Sequence, residues 1–233
     1  IFEDLAAIQR QFHHLLRTVP GQGLVVHPAG VAAVTETLDM GCWSEQQAFG
    51  VEQEASWSAQ LTSPDGSAFT VNTPNEQSVH VQWSYCGLHN VENALAAMAA
   101  ARHVGVTPEL AAQGLAAFKG VKRRLELLGE VNGVAVYDDF AHHPTAIATT
   151  LQGLRARMET GRLIALIEPR SNTMRMGCHH DVLADAVKAA DRVLWFEPEA
   201  LVTDGRASAD STELQKIFHG SSDTQVFNNL ESI

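Results

Sequence analysis

The chain has 233 residues, 45% of them hydrophobic, with a formal net charge of −11 and a pI near 5.4. That length and composition support one large core or two ordinary ones and exclude a disordered chain. The acidic balance and the lack of any basic block or aromatic-plus-basic stripe argue against a nucleic-acid partner.

Residues 4–17, DLAAIQRQFHHLLR, place Leu5, Ile8, Phe12, Leu15 and Leu16 on one helical face with Asp4 suited to cap it, so an amphipathic helix is predicted. GLVVH reads as a short buried strand. SWSAQLTSPDGSAFTVN alternates around a PDG turn and predicts a β-hairpin, and SVHVQWS predicts another strand. NVENALAAMAAARHV is an alanine-rich helix, followed by a second, TPELAAQGLAAF, with Thr107 as N-cap and Pro108 in the first turn. FKGVKRRLELLGEVNG reads as a polar connection, with a domain boundary near Phe118 to Val121. Beyond it strand and helix alternate: VAVY, PTAIATTLQGLRARM, RLIALI, DVLADAVKAA, RVLWF. Strands apolar on both faces alternating with helices predict a parallel sheet covered by helices. The pattern weakens from Val202 to Ser232, where only a helix around Thr212 to Phe218 is expected.

Cys42, Cys86 and Cys178 are scattered and form no CxxC pair, which suits reduced thiols better than a disulfide framework. No apolar stretch approaches the length of a membrane span, and IFEDLAAIQR has no basic head leading into an apolar core, so a cytoplasmic protein is expected.

Four stretches could carry chemistry. In GLHNVENALAA, His89, Asn90 and Asn93 stand at the start of a helix, where bare N–H groups and amides suit a nucleotide base or phosphate; the plain structural alternative is that Asn90 caps the helix. KRRLE, residues 122–126, puts consecutive cations at the domain junction, where an arginine can neutralise a phosphoryl group or simply be solvated. YDDFAHHPTAI follows a strand and precedes a helix opened by Pro144, placing Asp138, Asp139, His142 and His143 in a loop at a strand's carboxyl end, the edge where open α/β sheets bind ligands. Asp138 could equally be a salt-bridge partner and His143 an N-cap. EPRSNTMRMG offers Arg170, Asn172 and Arg175 as forked donors for carboxylate or phosphate oxygens.

GLHNVENALAA, VKRRLE and VYDDFAHHPTAI occur in the order and spacing found in the Mur ligases of peptidoglycan synthesis, a resemblance that spans most of the chain. It implies an α/β protein in two parts. Residues 1–119 would be the later part of an ATP-binding central domain, with helices and a mixed sheet containing a β-hairpin. Residues 120–233 would be most of a Rossmann-like C-terminal domain with a mainly parallel sheet. The implied reaction is ATP-driven amide synthesis through an acyl phosphate, with Mg²⁺, in which positioning and charge neutralisation do most of the work.

By the same resemblance, Asn90 and Asn93 would hold the adenine side of ATP with His89 beside them, and Arg124, with Arg123 adjacent, would reach the phosphates. Asp139 would contact the ribose or the catalytic centre. His142 and His143 would line the cleft between domains, and Arg170, Asn172 and Arg175 would recognise substrate carboxylates. DDFAHHPT together with EPRSNTMRMG most resembles the members that join UDP-N-acetylmuramate to recycled L-alanyl-γ-D-glutamyl-meso-diaminopimelate. The members that add L-alanine to the same nucleotide are the alternative. The family's GK[ST] phosphate loop is missing from these residues, and it, an Mg²⁺-binding histidine and the UDP-binding domain are expected before Ile1. The chain alone is therefore expected to be inactive, and no metal ligand is assigned within it. Competing readings are a metallohydrolase built on DDFAHH, a non-catalytic nucleotide-binding module, and a nicotinamide-dependent oxidoreductase; the last lacks a GxGxxG after VAVY or RLIALI.

Overall fold

The structure, a computed structural model, describes residues 2–168, 180–196 and 224–227, which fall into two units, Ile1–Lys119 and Gly120–Ile233. In the first unit, α1 (Leu5–Leu16) starts where Asp4 Oδ1 accepts from the Ala7 N–H at 2.7 Å. Its orientation differs from a simple amphipathic expectation. Leu5, Phe12 and Leu15 are each more than half exposed, whereas Gln9 is buried and its Nε2 donates to Ala33 O at 3.0 Å and Glu36 Oε2 at 2.8 Å. Those bonds tie α1 to α2 (Ala32–Asp39), an element the sequence pattern did not disclose.

Five strands form a mixed sheet in the order β1-β2-β3-β4-β5: β1 (Leu24–Pro28), β2 (Glu45–Val51), β3 (Trp57–Leu61), β4 (Ala68–Asn72) and β5 (Ser78–Gln82). β1, β2 and β3 are parallel neighbours, while β3/β4 and β4/β5 are antiparallel, the former being the hairpin foreseen around the PDG turn. Trp57, Ala59, Phe69, Val71 and Val81 are buried on one face of the sheet. Against them lies α3 (Leu88–His103), whose buried residues Val91, Ala94, Leu95, Met98 and Ala99 recur at helical spacing. The alanines let the helix lie close to the sheet. Fully burying a side chain such as Leu95 or Met98 contributes about 1.5–3 kcal/mol. α4 (Pro108–Ala117), capped by Thr107 and opened by Pro108, adds Ala112 to the same core.

The second unit departs from its expectation at the outset. The supposed polar connection contains a strand, β6 (Glu126–Val131), which pairs antiparallel with β7 (Val134–Asp138) across a two-residue turn. Asn132 and Gly133 hold φ of +52° and +77° there, the left-handed pair that a tight hairpin turn requires. VAVY therefore belongs to a two-stranded ribbon and not to the parallel sheet. Val134 and Val136 remain 63% and 52% exposed, so an apolar run here is not a buried strand.

A separate parallel sheet has the order β10-β9-β8, from β8 (Ile164–Ile167), β9 (Arg192–Phe196) and β10 (Thr224–Phe227). α5 (Pro144–Arg157) and α6 (His180–Ala186) contact each other and supply the buried Ile147, Leu151, Leu154 and Leu183. Val193 and Trp195 of β9 are buried, but along β8 only Ala165 is, with Ile164 and Leu166 exposed. Burial on both faces, as expected for all strands of a helix-covered sheet, does not hold for β8. The helix expected around Thr212 to Phe218 lies outside the described residues.

A side-chain staple holds this unit together. Arg155, in the last turn of α5, donates from Nε and Nη2 to Ala189 O at 3.0 and 2.9 Å and pairs with Asp191, whose carboxylate also accepts from the Leu163 N–H at 2.7 Å just before β8. The hydrogen bond from Arg155, then that from Leu163, holds the Asp191 carboxyl below the usual range.

Candidate functional site

In the first unit the candidate residues gather at the start of α3. Gly87 is the N-cap, with φ of +93° and no side chain to satisfy the first-turn N–H groups. A helix start of this kind presents donors and the positive end of the helix dipole. Asn90 does not cap through its side chain from outside: its Nδ2 donates back to Cys86 O at 2.7 Å, which fixes the amide plane. His89 is half-buried and Asn93 is exposed one turn on.

A neighbouring element went unnoticed in the sequence. The turn of residues 63–67 folds onto this helix start, with the Gly87 N–H donating to Asp65 O at 2.7 Å and Trp83 Nε1 donating to Gly66 O at 2.9 Å. Asp65 is buried, and its Oδ1 accepts from Ser63 Oγ, Ser67 N and Ser67 Oγ at 2.7, 3.0 and 2.6 Å. Gly66 has φ of +79°, and a Cβ there would stand 3.0 Å from Val91 Cγ2. The Ser-Pro-Asp-Gly-Ser run was legible as a turn, but its docking partner was not. Beside it the Tyr85 ring meets Trp83 and Phe118 at centroid distances of 5.4 and 5.5 Å, and burial pushes the Tyr85 phenol upward. Burial likewise raises the Glu92 carboxyl on α3.

In the second unit the arginine stretch and the aspartate–histidine loop are joined, although they are far apart in sequence. Asp139 is the joint. Its Oδ2 accepts from the Leu125 N–H at 2.8 Å, its Oδ1 from the Ala141 N–H at 2.7 Å, and Thr150 Oγ1 of α5 lies 3.5 Å from Oδ1. Phe140 N donates to Arg123 O at 2.9 Å, which adds a second link between the two segments.

Arg123 and Leu125 both adopt left-handed backbone, φ +59° and +49°, a conformation that costs a non-glycine residue about 1–2 kcal/mol. Arg123 is spent locally: Nε sits 3.3 Å from Asp138 Oδ2 and the guanidinium lies 5.1 Å from the Phe140 ring centroid. Arg124, between the two left-handed residues, is exposed and makes no ion pair among the described residues.

The two histidines also have local places. His143 is the N-cap of α5, its Nδ1 accepting from the Thr145 N–H at 3.3 Å, and His142 Nδ1 lies 2.8 Å from Phe140 O with its ring against Phe140. Asp138, Asp139, His142 and His143 are thus drawn apart by different tasks, and no group of three or more His, Cys, Asp or Glu side chains among the described residues could hold a metal ion. Arg170, Asn172 and Arg175 lie outside the described residues. Among the described residues no helix is long and apolar enough to cross a membrane.

A mixed sheet with a helix start free of side-chain caps is thus followed by a unit in which a cationic turn is bonded to the DDFAHH loop. Residues 1–101 match the Mur ligase middle domain and residues 123–233 the Mur ligase glutamate ligase domain, and the chain belongs to the Mur ligase family. Within that family it is similar to proteins named UDP-N-acetylmuramate–L-alanyl-γ-D-glutamyl-meso-2,6-diaminoheptandioate ligase. The Haemophilus influenzae protein is 50% identical over 202 residues, covering 86% of this chain and 44% of the relative, and the Escherichia coli protein 51% over 199 residues, covering 85% and 43%. A crystal structure of a murein peptide ligase from Psychrobacter arcticus aligns over 100% of this chain and 48% of its own, at 42% identity and a TM-score of 0.69. The chain spans less than half the length of each of these relatives.

Proposed function

We propose that the full-length protein carrying these residues is an ATP-dependent ligase that joins the carboxylate of UDP-N-acetylmuramate to the amine of L-alanyl-γ-D-glutamyl-meso-diaminopimelate in peptidoglycan recycling, in the cytoplasm. The reading is supported by identity of about one half to relatives of that name. The observation that carries it on the chemical side is the Asp139 joint, which fixes the turn bearing Arg124 and leaves that guanidinium exposed.

In the proposed reaction a muramate carboxylate oxygen attacks the γ-phosphorus of ATP and ADP leaves. The tripeptide amine then attacks the acyl carbon, loses a proton, and inorganic phosphate departs with that carboxylate oxygen. The step that needs most help from the protein is the first, in which an anion approaches an anion, so fixed cations and N–H donors matter more than a proton-transferring group. Arg124 serves as that cation, with Arg123 held beside it by Asp138. The uncapped start of α3 and the amides of Asn90 and Asn93, with His89 adjacent, suit the nucleotide: the glycine N-cap leaves room and donors there. Asp139 acts chiefly by holding the arginine turn, His143 by opening α5, and His142 packs at the loop's exposed face. Arg170, Asn172 and Arg175 are assigned to the tripeptide's carboxylates on sequence grounds. Mg²⁺ supplies charge neutralisation at the phosphates when bound, and the described residues do not themselves gather a ligand set for it.

The 233-residue chain alone is expected to form no amide product. The test is a substrate panel on the full-length parent, comparing free L-alanine with the tripeptide at equal ATP and UDP-N-acetylmuramate. Tripeptide-dependent release of phosphate with little response to L-alanine supports the reading. Preference for L-alanine moves the enzyme to the other branch, and phosphate release with neither amine rejects both.

A further inference from the structure

The sheet of the first unit has two edge strands, and only one of them is guarded. β5 alternates, with exposed polar side chains at Ser78, His80 and Gln82, and α4 packs beside it. Polar alternation and a covering helix are usual ways of blunting a sheet edge. β1 has neither. Its sequence LVVHP carries apolar side chains on both faces, Val26 packing on the core under α3 and Val25 pointing the other way, as a strand inside a parallel sheet does. Among the described residues β1 pairs with β2 on one side and with no strand on the other. The register identifies the groups on that open side. Ala29, one residue past β1, donates its N–H to Phe49 O of β2 at 2.8 Å. Backbone N–H and C=O groups alternate in direction along a strand, so Val25 and His27 also face β2, and Leu24 and Val26 face the open edge. Pro28 faces it with no N–H to give, so a ladder there ends at Val26.

α1, which leads into this strand, has its apolar stripe bare. Leu5, Phe12 and Leu15 are each more than half exposed and Ile8 is 36% exposed, while Gln9, at the flank of the stripe, is taken up by α2. An apolar stripe of that width on a helix is made to be covered. The chain already alternates here, since β1 passes through α2 to its parallel neighbour β2. Parallel strands need a crossover of this kind, and strands consecutive in sequence are commonly neighbours in the sheet. More than half of each relative's length lies outside the match, so there is chain to fill the place beside β1. A segment joined directly to α1 would be held at this surface by its own tether, which favours it over any separate partner.

We propose that in the full-length protein the segment immediately preceding α1 forms a strand that pairs in parallel with the open edge of β1 through Leu24 and Val26. α1 is then the crossover helix between that strand and β1, and Leu5, Ile8, Phe12 and Leu15 pack on the extended sheet. The proposal rests on the ligase reading only in taking the chain as part of a longer protein. Its test needs no substrate, so its failure and that of the reaction are told apart.

The test is hydrogen exchange of the full-length parent, resolved amide by amide over Leu24 to His27, together with thermal unfolding of two variants. The Val25 and His27 amides, which face β2, are the internal reference. Leu24 and Val26 are expected to exchange about as slowly as that pair, on the order of a thousandfold or more slower than an unstructured peptide. Phe12→Ser is expected to lower Tm by roughly 5 °C or more, as loss of a buried ring does. Val104→Ser, at a position 76% exposed just past α3, is expected to leave Tm within about 1 °C. Fast exchange at Val26 with slow exchange at Val25 and His27, or equal Tm changes for the two variants, overturns the proposal. Protection at Val26 that disappears on dilution along with a sedimenting dimer also overturns it, because a second copy would then hold the edge.

Discussion

Replacing Asp139 by alanine tests the geometry of the arginine turn at its joint. The carboxylate accepts two short backbone hydrogen bonds, 2.8 Å from Leu125 and 2.7 Å from Ala141. A hydrogen bond to a charged group contributes about 1.5–3 kcal/mol, so the pair amounts to about 3–6 kcal/mol before water is considered. The site is half-buried, and water can replace part of what is lost, which leaves ~3 kcal/mol as the expected destabilisation of the second unit. For a unit of this size that is roughly 8–15 °C in Tm. Losing the acceptor also releases the left-handed backbone of Arg123 and Leu125, whose strain of about 1–2 kcal/mol each is then free to relax. The assay is amide hydrogen exchange with urea unfolding. In Asp139→Ala the Leu125 and Ala141 amides should lose protection selectively, and Asp139→Asn should fall between the variant and the wild type. Unchanged protection of both amides, or a stability change below about 0.5 kcal/mol, would refute the joint.

Arg124→Ala in the full-length parent should leave Tm within about 1 °C, because an exposed unpaired side chain carries little stability, yet lower kcat by about tenfold or more; equal activity would remove it from the phosphate role. Gly66→Ala should cost about 2–4 kcal/mol in urea unfolding of the first unit, since its φ is +79° and the added Cβ would sit 3.0 Å from Val91 Cγ2. Arg155→Ala should flatten the acid limb of stability. In the folded wild type the Asp191 carboxyl lies below its unfolded value, so its contribution is whole above the unfolded carboxylate range and is lost as pH falls through the folded value. Without Arg155 that loss should shrink, and identical pH profiles for wild type and variant would contradict the staple.

The parts of the fold that were legible from sequence are those with a local signature. Asp4 and Thr107 cap as their positions suggest, and the PDG turn joins β3 to β4. What escaped depends on what lies across from each residue. β6 was hidden because nearly all of it is exposed in a two-stranded ribbon, so LELLGEV shows no clean alternation; the Asn-Gly pair that ends it was the one readable sign. VAVY reads as a sheet strand only because composition tells apolar from polar and not buried from exposed. β2 begins Glu-Gln-Gln, with no apolar residue before Ala48 to signal a strand, and α2 has no side-chain cap. The orientation of α1 follows from Gln9 meeting Ala33 and Glu36, a contact no pattern within the helix could announce.

The candidate residues show the same limit. Residue type pointed to DDFAHH and KRRLE separately, and only the Asp139 bonds to Leu125 and Ala141 reveal one loop supporting the other. His143 could be foreseen as an N-cap from the Pro144 that follows it, because that assignment is local. Asp65 could not be foreseen, since its role depends on Gly87 more than twenty residues away.

The most direct measurement of the proposed chemistry follows oxygen. UDP-N-acetylmuramate labelled with ¹⁸O in its carboxylate, supplied to the full-length parent with ATP and the tripeptide, should deliver one label per turnover into inorganic phosphate alongside ADP. Label recovered in AMP, or phosphate released without label, would contradict an acyl phosphate and with it the phosphate-neutralising role of Arg124 and of the loop that holds it.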